Sequence, residues 1–191
     1  MKYFDQFKFI ILTLLLSLFL MTGGIYAQLQ GNPSPIQFPT PKDIPNQLFY
    51  LQRDPNTNTI ICQLNVNERG ELNKEQPINV FWKRYAEKSE IQSLNYIQRK
   101  FAYGIQSKNI GNDEYLLNFV SYKKLSMLLS KAEHSKKYNV YVSVNNKKIL
   151  LERIFIRIEG GTFWVPNVRY VEFMGYDTQH PDRIITERIK V

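Results

Sequence analysis

From residue 47 onward apolar and polar side chains alternate along much of the chain, the pattern of strands that show one face to a core and the other to water. Residues 47–53 and 59–66 are rich in β-formers. The turn-forming Asp54-Pro55-Asn56-Thr57-Asn58 stretch lies between them, so the pair predicts a hairpin. A strand follows at 77–85, with Ile78, Val80 and Trp82 on one face and Asn79, Phe81 and Lys83 on the other.

Further strands are expected at 101–108, 114–122 and 125–130, the first two separated by Asn109-Ile110-Gly111-Asn112-Asp113. The third also fits a helical turn through Leu125, Leu128 and Leu129. A second hairpin should join 137–144 to 148–158 around Asn145-Asn146, because asparagine tolerates the positive φ angles of a tight two-residue turn. Strict alternation along 148–158 puts Ile149, Leu151 and Phe155 on one face and Leu150, Ile154, Ile156 and Ile158 on the other. That predicts a central strand covered on both sides. Gly160-Gly161 marks another turn, and 169–174 and 184–191 complete the set.

One helix interrupts this pattern. Ser89-Glu90-Ile91-Gln92 reads as a capping box, and Ile91, Leu94, Ile97 and Phe101 then recur at helical spacing. That stripe is expected to pack on the sheet, with Gln92, Asn95 and Arg99 on the opposite face. The predicted class is mainly β, an antiparallel β-barrel or β-sandwich of about eight to ten strands with one packed α-helix.

Ahead of the strands stand two segments of different character. Lys2 and Lys8 precede an uncharged run from Phe9 to Met21, and small residues lead to Ala27. This order predicts a signal peptide over 1–27, cleaved after Ala27; an uncleaved membrane anchor is the rival reading. Residues 28–46 hold Pro33, Pro35, Pro39, Pro41 and Pro45, a strap or linker before a single domain at 47–191. Cys62 is the one cysteine, so no intrachain disulfide can form and stability has to come from the apolar core. No cysteine follows the apolar run to carry a lipid.

The net charge of +8 favours anionic partners, namely lipid head groups or acidic glycans. Export makes nucleic acid the least expected of these. The runs at 136–175 (KKYNVYVSVNNKKILLERIFIRIEGGTFWVPNVRYVEFMG), 49–65 (FYLQRDPNTNTIICQLN), 77–85 (PINVFWKRY) and 187–191 (ERIKV) resemble the exported bacterial family catalogued as domain of unknown function 4833. The resemblance implies a single exported domain from bacteria with a two-membrane envelope, and it brings no catalytic motif with it.

The candidate chemistry is a basic and aromatic set. Trp82, Lys83, Arg84 and Tyr85 end one strand, Arg99 and Lys100 sit on the helix, and Tyr122, Lys123 and Lys124 follow another strand. Arg153 and Arg157 share a strand face with Phe155. Arginine can grip phosphate or carboxylate bidentately while rings support an acyl or sugar group, so Trp82, Arg84, Arg99, Tyr122, Lys123, Arg153 and Arg157 are the expected ligand-binding residues. The same residues also suit a solvated edge that guards against aggregation.

Asp177, His180 and Asp182, with Glu172 nearby, are the weaker metal-ligand candidates; the same hexapeptide is ordinary turn chemistry. His134 is the other histidine. No G-x-S-x-G elbow holds a nucleophile and no glycine-rich phosphate loop is present, so no catalytic residue and no cofactor is singled out. Cys62, in an apolar run, should be a buried and inert thiol. Phe163-Trp164 could form a ligand-facing lip, although a core or loop anchor is the more ordinary role.

The expectation is a periplasmic or secreted binding or interaction module for an anionic amphiphile or glycan, with peripheral membrane contact open to it. Two alternatives stand beside it: a metal-assisted envelope hydrolase, and a structural partner of an envelope protein complex.

Overall fold

The computed structural model describes residues 36–132, 135, 137–162 and 165–190. The leader at 1–27, the start of the strap, His134 and the Phe163-Trp164 pair lie outside these residues. From Gln37 onward the chain forms one compact unit.

Eleven strands form one sheet: β1 (Gln47–Arg53), β2 (Asn56–Leu64), β3 (Ile78–Arg84), β4 (Glu90–Ser93), β5 (Ile105–Gly111), β6 (Glu114–Phe119), β7 (Tyr122–Lys131), β8 (Tyr138–Val144), β9 (Lys147–Gly161), β10 (Pro166–Asp177) and β11 (Ile184–Lys190). Among the described residues a single short helix, α1 (Tyr96–Phe101), stands between β4 and β5. The class is therefore mainly β, a curled half-barrel.

The organising element is β9. One of its edges carries β10 along nearly its whole length. The other is shared: β8 pairs with it up to Leu150, and β1 takes over from Arg153. The sheet thus forks at β9 into two arms, β1-β2-β3-β4 and β8-β7-β6-β5. Every pairing is antiparallel except β1 with β9.

The arms face one another across the core. Phe49, Leu51, Ile60 and Trp82 come from the first arm, Leu117, Met127, Leu129, Val140 and Val142 from the second, and Ile149, Leu151, Ile154 and Phe173 from the stem. Phe49 meets Phe119 edge-on at 6.3 Å and links the arms.

A β-bulge sits at the fork. Leu151 pairs with Gly175 and Arg153 with Met174, which leaves Glu152 as the extra residue. That residue reverses the alternation. Ile149, Leu151, Ile154 and Ile156 consequently all face the interior, and Phe155 turns to the outer face with Arg153 and Arg157. The two-faced pattern expected from strict alternation is corrected accordingly. Gly175 is required opposite the bulge, since a Cβ there would stand 1.9 Å from the Leu150 carbonyl oxygen.

The strap belongs to that outer face. Phe38 packs edge-on against Phe155 at 5.1 Å, and the buried Gln52 donates from Nε2 to the Pro39 carbonyl at 2.7 Å. Gln63 donates to the Pro45 carbonyl at 2.8 Å. Residues 37–46 therefore run across β1 and β9.

The helix differs from expectation. Residues 90–93 form β4 on the edge of β3, and the capping box that works is Asn95 with Gln98: the Gln98 amide donates to Asn95 Oδ1 at 2.8 Å, and the Asn95 amide donates to Gln98 Oε1 at 3.1 Å. Lys88 and Ser89 take positive φ in the turn leaving β3, so Ser89 caps nothing. The helix has six residues, none of them buried, and Ile97 and Phe101 point to solvent. Of the expected apolar stripe only Leu94, ahead of the helix, reaches the core; Ile91, Ile97 and Phe101 stay exposed. Asn145 and Asn146 do adopt positive φ, 49° and 62°, in the tight turn between β8 and β9.

Candidate functional site

At the end of the half-barrel next to α1 the interior is incompletely filled. Leu51 of β1, Tyr103 and Ala102 after the helix, Phe119, Tyr122, Leu125 and Met127 of the second arm, Ile154 and Ile156 of β9, and Val171, Phe173 and Ile189 line a cavity of about 100 Å³. Its walls are almost wholly carbon. An apolar void on the order of 150 Å³ is dry and receives small hydrocarbons, so this one suits an apolar group rather than water.

Beside it stands a cationic and aromatic cluster. Arg53 continues the inner face of β1 beyond Phe49 and Leu51, opposite Ile156. Its guanidinium lies 5.6 Å from the centroid of the Tyr103 ring. Tyr103 in turn meets Trp82 edge-on at 5.3 Å, and Arg84 lies 6.0 Å from the Trp82 ring. Trp82 Nε1 donates to Gln98 Oε1 at 3.3 Å, tying β3 to α1. Arg84 is held by Glu87 and by Gln92.

Two groups here are unsatisfied: Nε of Arg53 and Nε of Arg84 are both buried without a hydrogen-bond partner. A buried donor without an acceptor costs about 1–3 kcal/mol. Arg53 reaches the cavity wall only through Tyr103, and Arg84 stands one ring further away with its terminal nitrogens already paired. Burial pushes the Tyr103 hydroxyl above its ordinary value, and the Arg53 charge partly offsets this.

The expected ligand-binding residues do not form one surface. Trp82 and Arg84 belong to the cluster, and Tyr122 lines the cavity. Lys123 is exposed just beyond it. Arg99 lines a separate cleft of about 1070 Å³ between β3 and β5, where amide and hydroxyl groups from Gln63, Asn79, Ser107 and Asn118 predominate.

Arg153 and Arg157 face the other way. Arg153 Nε donates to Gln52 Oε1 at 2.8 Å, and Arg157 pairs with the largely buried Asp54 at 2.6 Å. Arg153 ties β9 to β1 and, through Gln52, to the strap, and Arg157 ties β9 to the residue that follows β1.

Asp177 and His180 approach to 3.4 Å in an exposed turn after β10, and the His180 ring helps to hold the Asp177 carboxyl below the usual range, second to the Gln179 backbone amide. Among the described residues no three His, Cys, Asp or Glu side chains gather as a metal site. Cys62 is fully buried in the core, which pushes its thiol far above the ordinary value.

Arg53 and Tyr103 are the members that the sequence reading passes over. For Arg53 a signal exists, because positions 49, 51 and 53 share one strand face and an arginine there follows two core residues. Tyr103 carries none, since its place depends on the turn that ends α1.

Neither a curated protein nor a solved structure matches this chain. The family described as "Domain of unknown function (DUF4833)" matches residues 49–188, from Phe49 in β1 to Arg188 in β11. That span takes in the fork, all of the cavity lining except Ile189 and both arginines of the cluster, and the chain belongs to the DUF4833 family.

Proposed function

We propose that this domain is a binding module for an anionic amphiphile, working outside the cytoplasm as its leader-like first segment implies. The apolar portion of the ligand enters the cavity between the arms. Its anionic head meets Arg53, with Arg84 beside it. The observation that carries this reading is the buried, unpartnered Nε of Arg53, whose guanidinium lies against the Tyr103 ring in the wall of a carbon-lined void. Guanidinium matches phosphate and carboxylate in geometry, and its attraction to them grows where water is excluded.

Calorimetric titration of the protein with dodecyl phosphate, with dodecyl maltoside as the uncharged comparison, tests it. Dodecyl phosphate should bind once per chain and at least tenfold more tightly than the maltoside. Arg53→Met should remove that preference, and Val171→Phe, which fills the cavity, should weaken both ligands. Equal binding of the two amphiphiles, or a preference unmoved by Arg53→Met, sinks the reading.

A further inference from the structure

Around the mouth of the cavity the surface is unusual in a different respect. Tyr96, Ile97 and Phe101 of α1 are 70%, 47% and 60% exposed, and Tyr122 at the start of β7 is 40% exposed. They form one tip. The Ser121 hydroxyl donates to the Ala102 carbonyl at 2.6 Å and the Val120 amide donates to the Gly104 carbonyl at 2.9 Å, which pins the turn before β7 against the end of the helix.

Beside these rings on the same two segments are Lys100, Lys123 and Lys124. Lys100 Nζ lies 5.3 Å from the Tyr96 ring centroid and 5.4 Å from that of Phe101, and donates to the Tyr96 hydroxyl at 2.9 Å. Neither 94–103 nor 118–127 contains an acidic residue. None of the four apolar tip side chains is needed to fill the core.

We propose that this tip docks on the surface of an anionic lipid bilayer, with Tyr96, Ile97, Phe101 and Tyr122 in the interfacial layer and Lys100, Lys123 and Lys124 among the head groups. Charge complementarity chooses the occupant. A patch of aromatic rings and cations, with no acidic residue in either contributing segment, matches a surface that is anionic above and apolar beneath. Tyrosine and lysine are also the residues that settle at a membrane interface, through amphipathic rings and snorkelling stems. The cavity opens beside this tip, since Ala102, Tyr103, Ser121 and Tyr122 contribute to its lining. Docking therefore does not rest on the ligand assignment, although it would bring the cavity to the lipids.

The test uses a fluorophore reporter on the full chain as recovered from expressing cells. Cys62 is fully buried, so a cysteine introduced by Ile97→Cys can be labelled selectively with an environment-sensitive nitrobenzoxadiazole dye. A Glu68→Cys variant, beyond the far end of β2, is the distant control.

With vesicles of equal parts phosphatidylglycerol and phosphatidylcholine, the dye at position 97 should blue-shift and the dye at 68 should not. Pure phosphatidylcholine should leave both unchanged. Adding Lys123→Glu and Lys124→Glu should raise the lipid concentration for half-maximal shift by roughly tenfold or more, and Phe101→Ser should do likewise. Arg53→Met should leave the shift intact, so that failure of the cavity reading and failure of docking are told apart.

The proposal is overturned by an equal shift with both vesicle types, by insensitivity to the lysine reversals, or by a shift at 97 without lipid that grows with protein concentration. The last result would make the tip a protein interface.

Discussion

The guanidinium of Arg53 lies 5.6 Å from the ring centroid of Tyr103, with its Nε buried and unpartnered. A cation over a ring gains about 0.5–2 kcal/mol, of the same size as the cost of leaving a buried donor unmade, so the pair contributes little to stability on balance. Arg53→Met should therefore unfold in urea within about 1 kcal/mol of the wild type. A loss above about 3 kcal/mol would mark Arg53 as a structural member of the core.

Gln52 behaves in the opposite way. It is 1% exposed, donates to the Pro39 carbonyl and to Thr59 Oγ1, and accepts from Arg153 Nε. Gln52→Leu keeps the volume and strands three polar groups at once. Chemical denaturation should show a loss of about 2–4 kcal/mol, together with faster proteolysis of the strap at 37–46.

Gly175 is fixed by its neighbour across the bulge. A methyl group would meet the Leu150 carbonyl oxygen at 1.9 Å and Ile149 Cγ2 at 2.9 Å, and neither backbone can retreat without breaking the β9–β10 ladder. Gly175→Ala should cost about 3 kcal/mol or more, read as a drop in thermal midpoint. Gly70→Ala, where nothing lies within 4 Å but φ is +77°, should cost less.

Glu152, the bulge residue, offers a test in pH. Burial raises its carboxyl above the ordinary value, and Lys137 partly offsets the rise. A raised carboxyl binds its proton more tightly in the folded state, so this residue adds stability as pH falls through the folded value and withholds it at neutral pH. Glu152→Gln should be more stable than the wild type at pH 7. The difference should shrink as pH is lowered towards the usual carboxylate range, and a difference independent of pH would remove the carboxyl from the explanation.

Alternation made the strands readable in advance. Ile78 and Trp82 reach the core on one face of β3, as expected, and Val140, Val142 and Val144 follow the same rule on β8. Asn145-Asn146 announced its turn because few other residues accept positive φ twice in succession.

What the alternation could not show is where it breaks. Nothing in Leu150-Leu151-Glu152-Arg153 marks the bulge, which arises because β8 ends and β1 begins beside β9 at that point. The helix was misplaced for a similar reason. Ser89-x-x-Gln92 and Asn95-x-x-Gln98 are equally good caps in isolation, and the open edge of β3 at Phe81–Arg84 decided between them by taking residues 90–93 as a strand. The candidate cluster was half legible: Trp82 and Arg84 stand out in the sequence as a basic and aromatic strand end, while Arg53 and Tyr103 join them only through tertiary placement.

The fork at β9 also governs how the domain can be assembled in time. Each arm is a run of neighbouring strands that can form from contacts close in sequence, but the join between them sets Gln52 against an arginine 101 residues further on. Closing so long a loop is slow and unrewarded until the parallel β1–β9 pairs form, so the half-barrel should condense last at its stem. Until β9 has been supplied and docked, the apolar inner faces of both arms remain open, and that interval is when this chain is most exposed to aggregation.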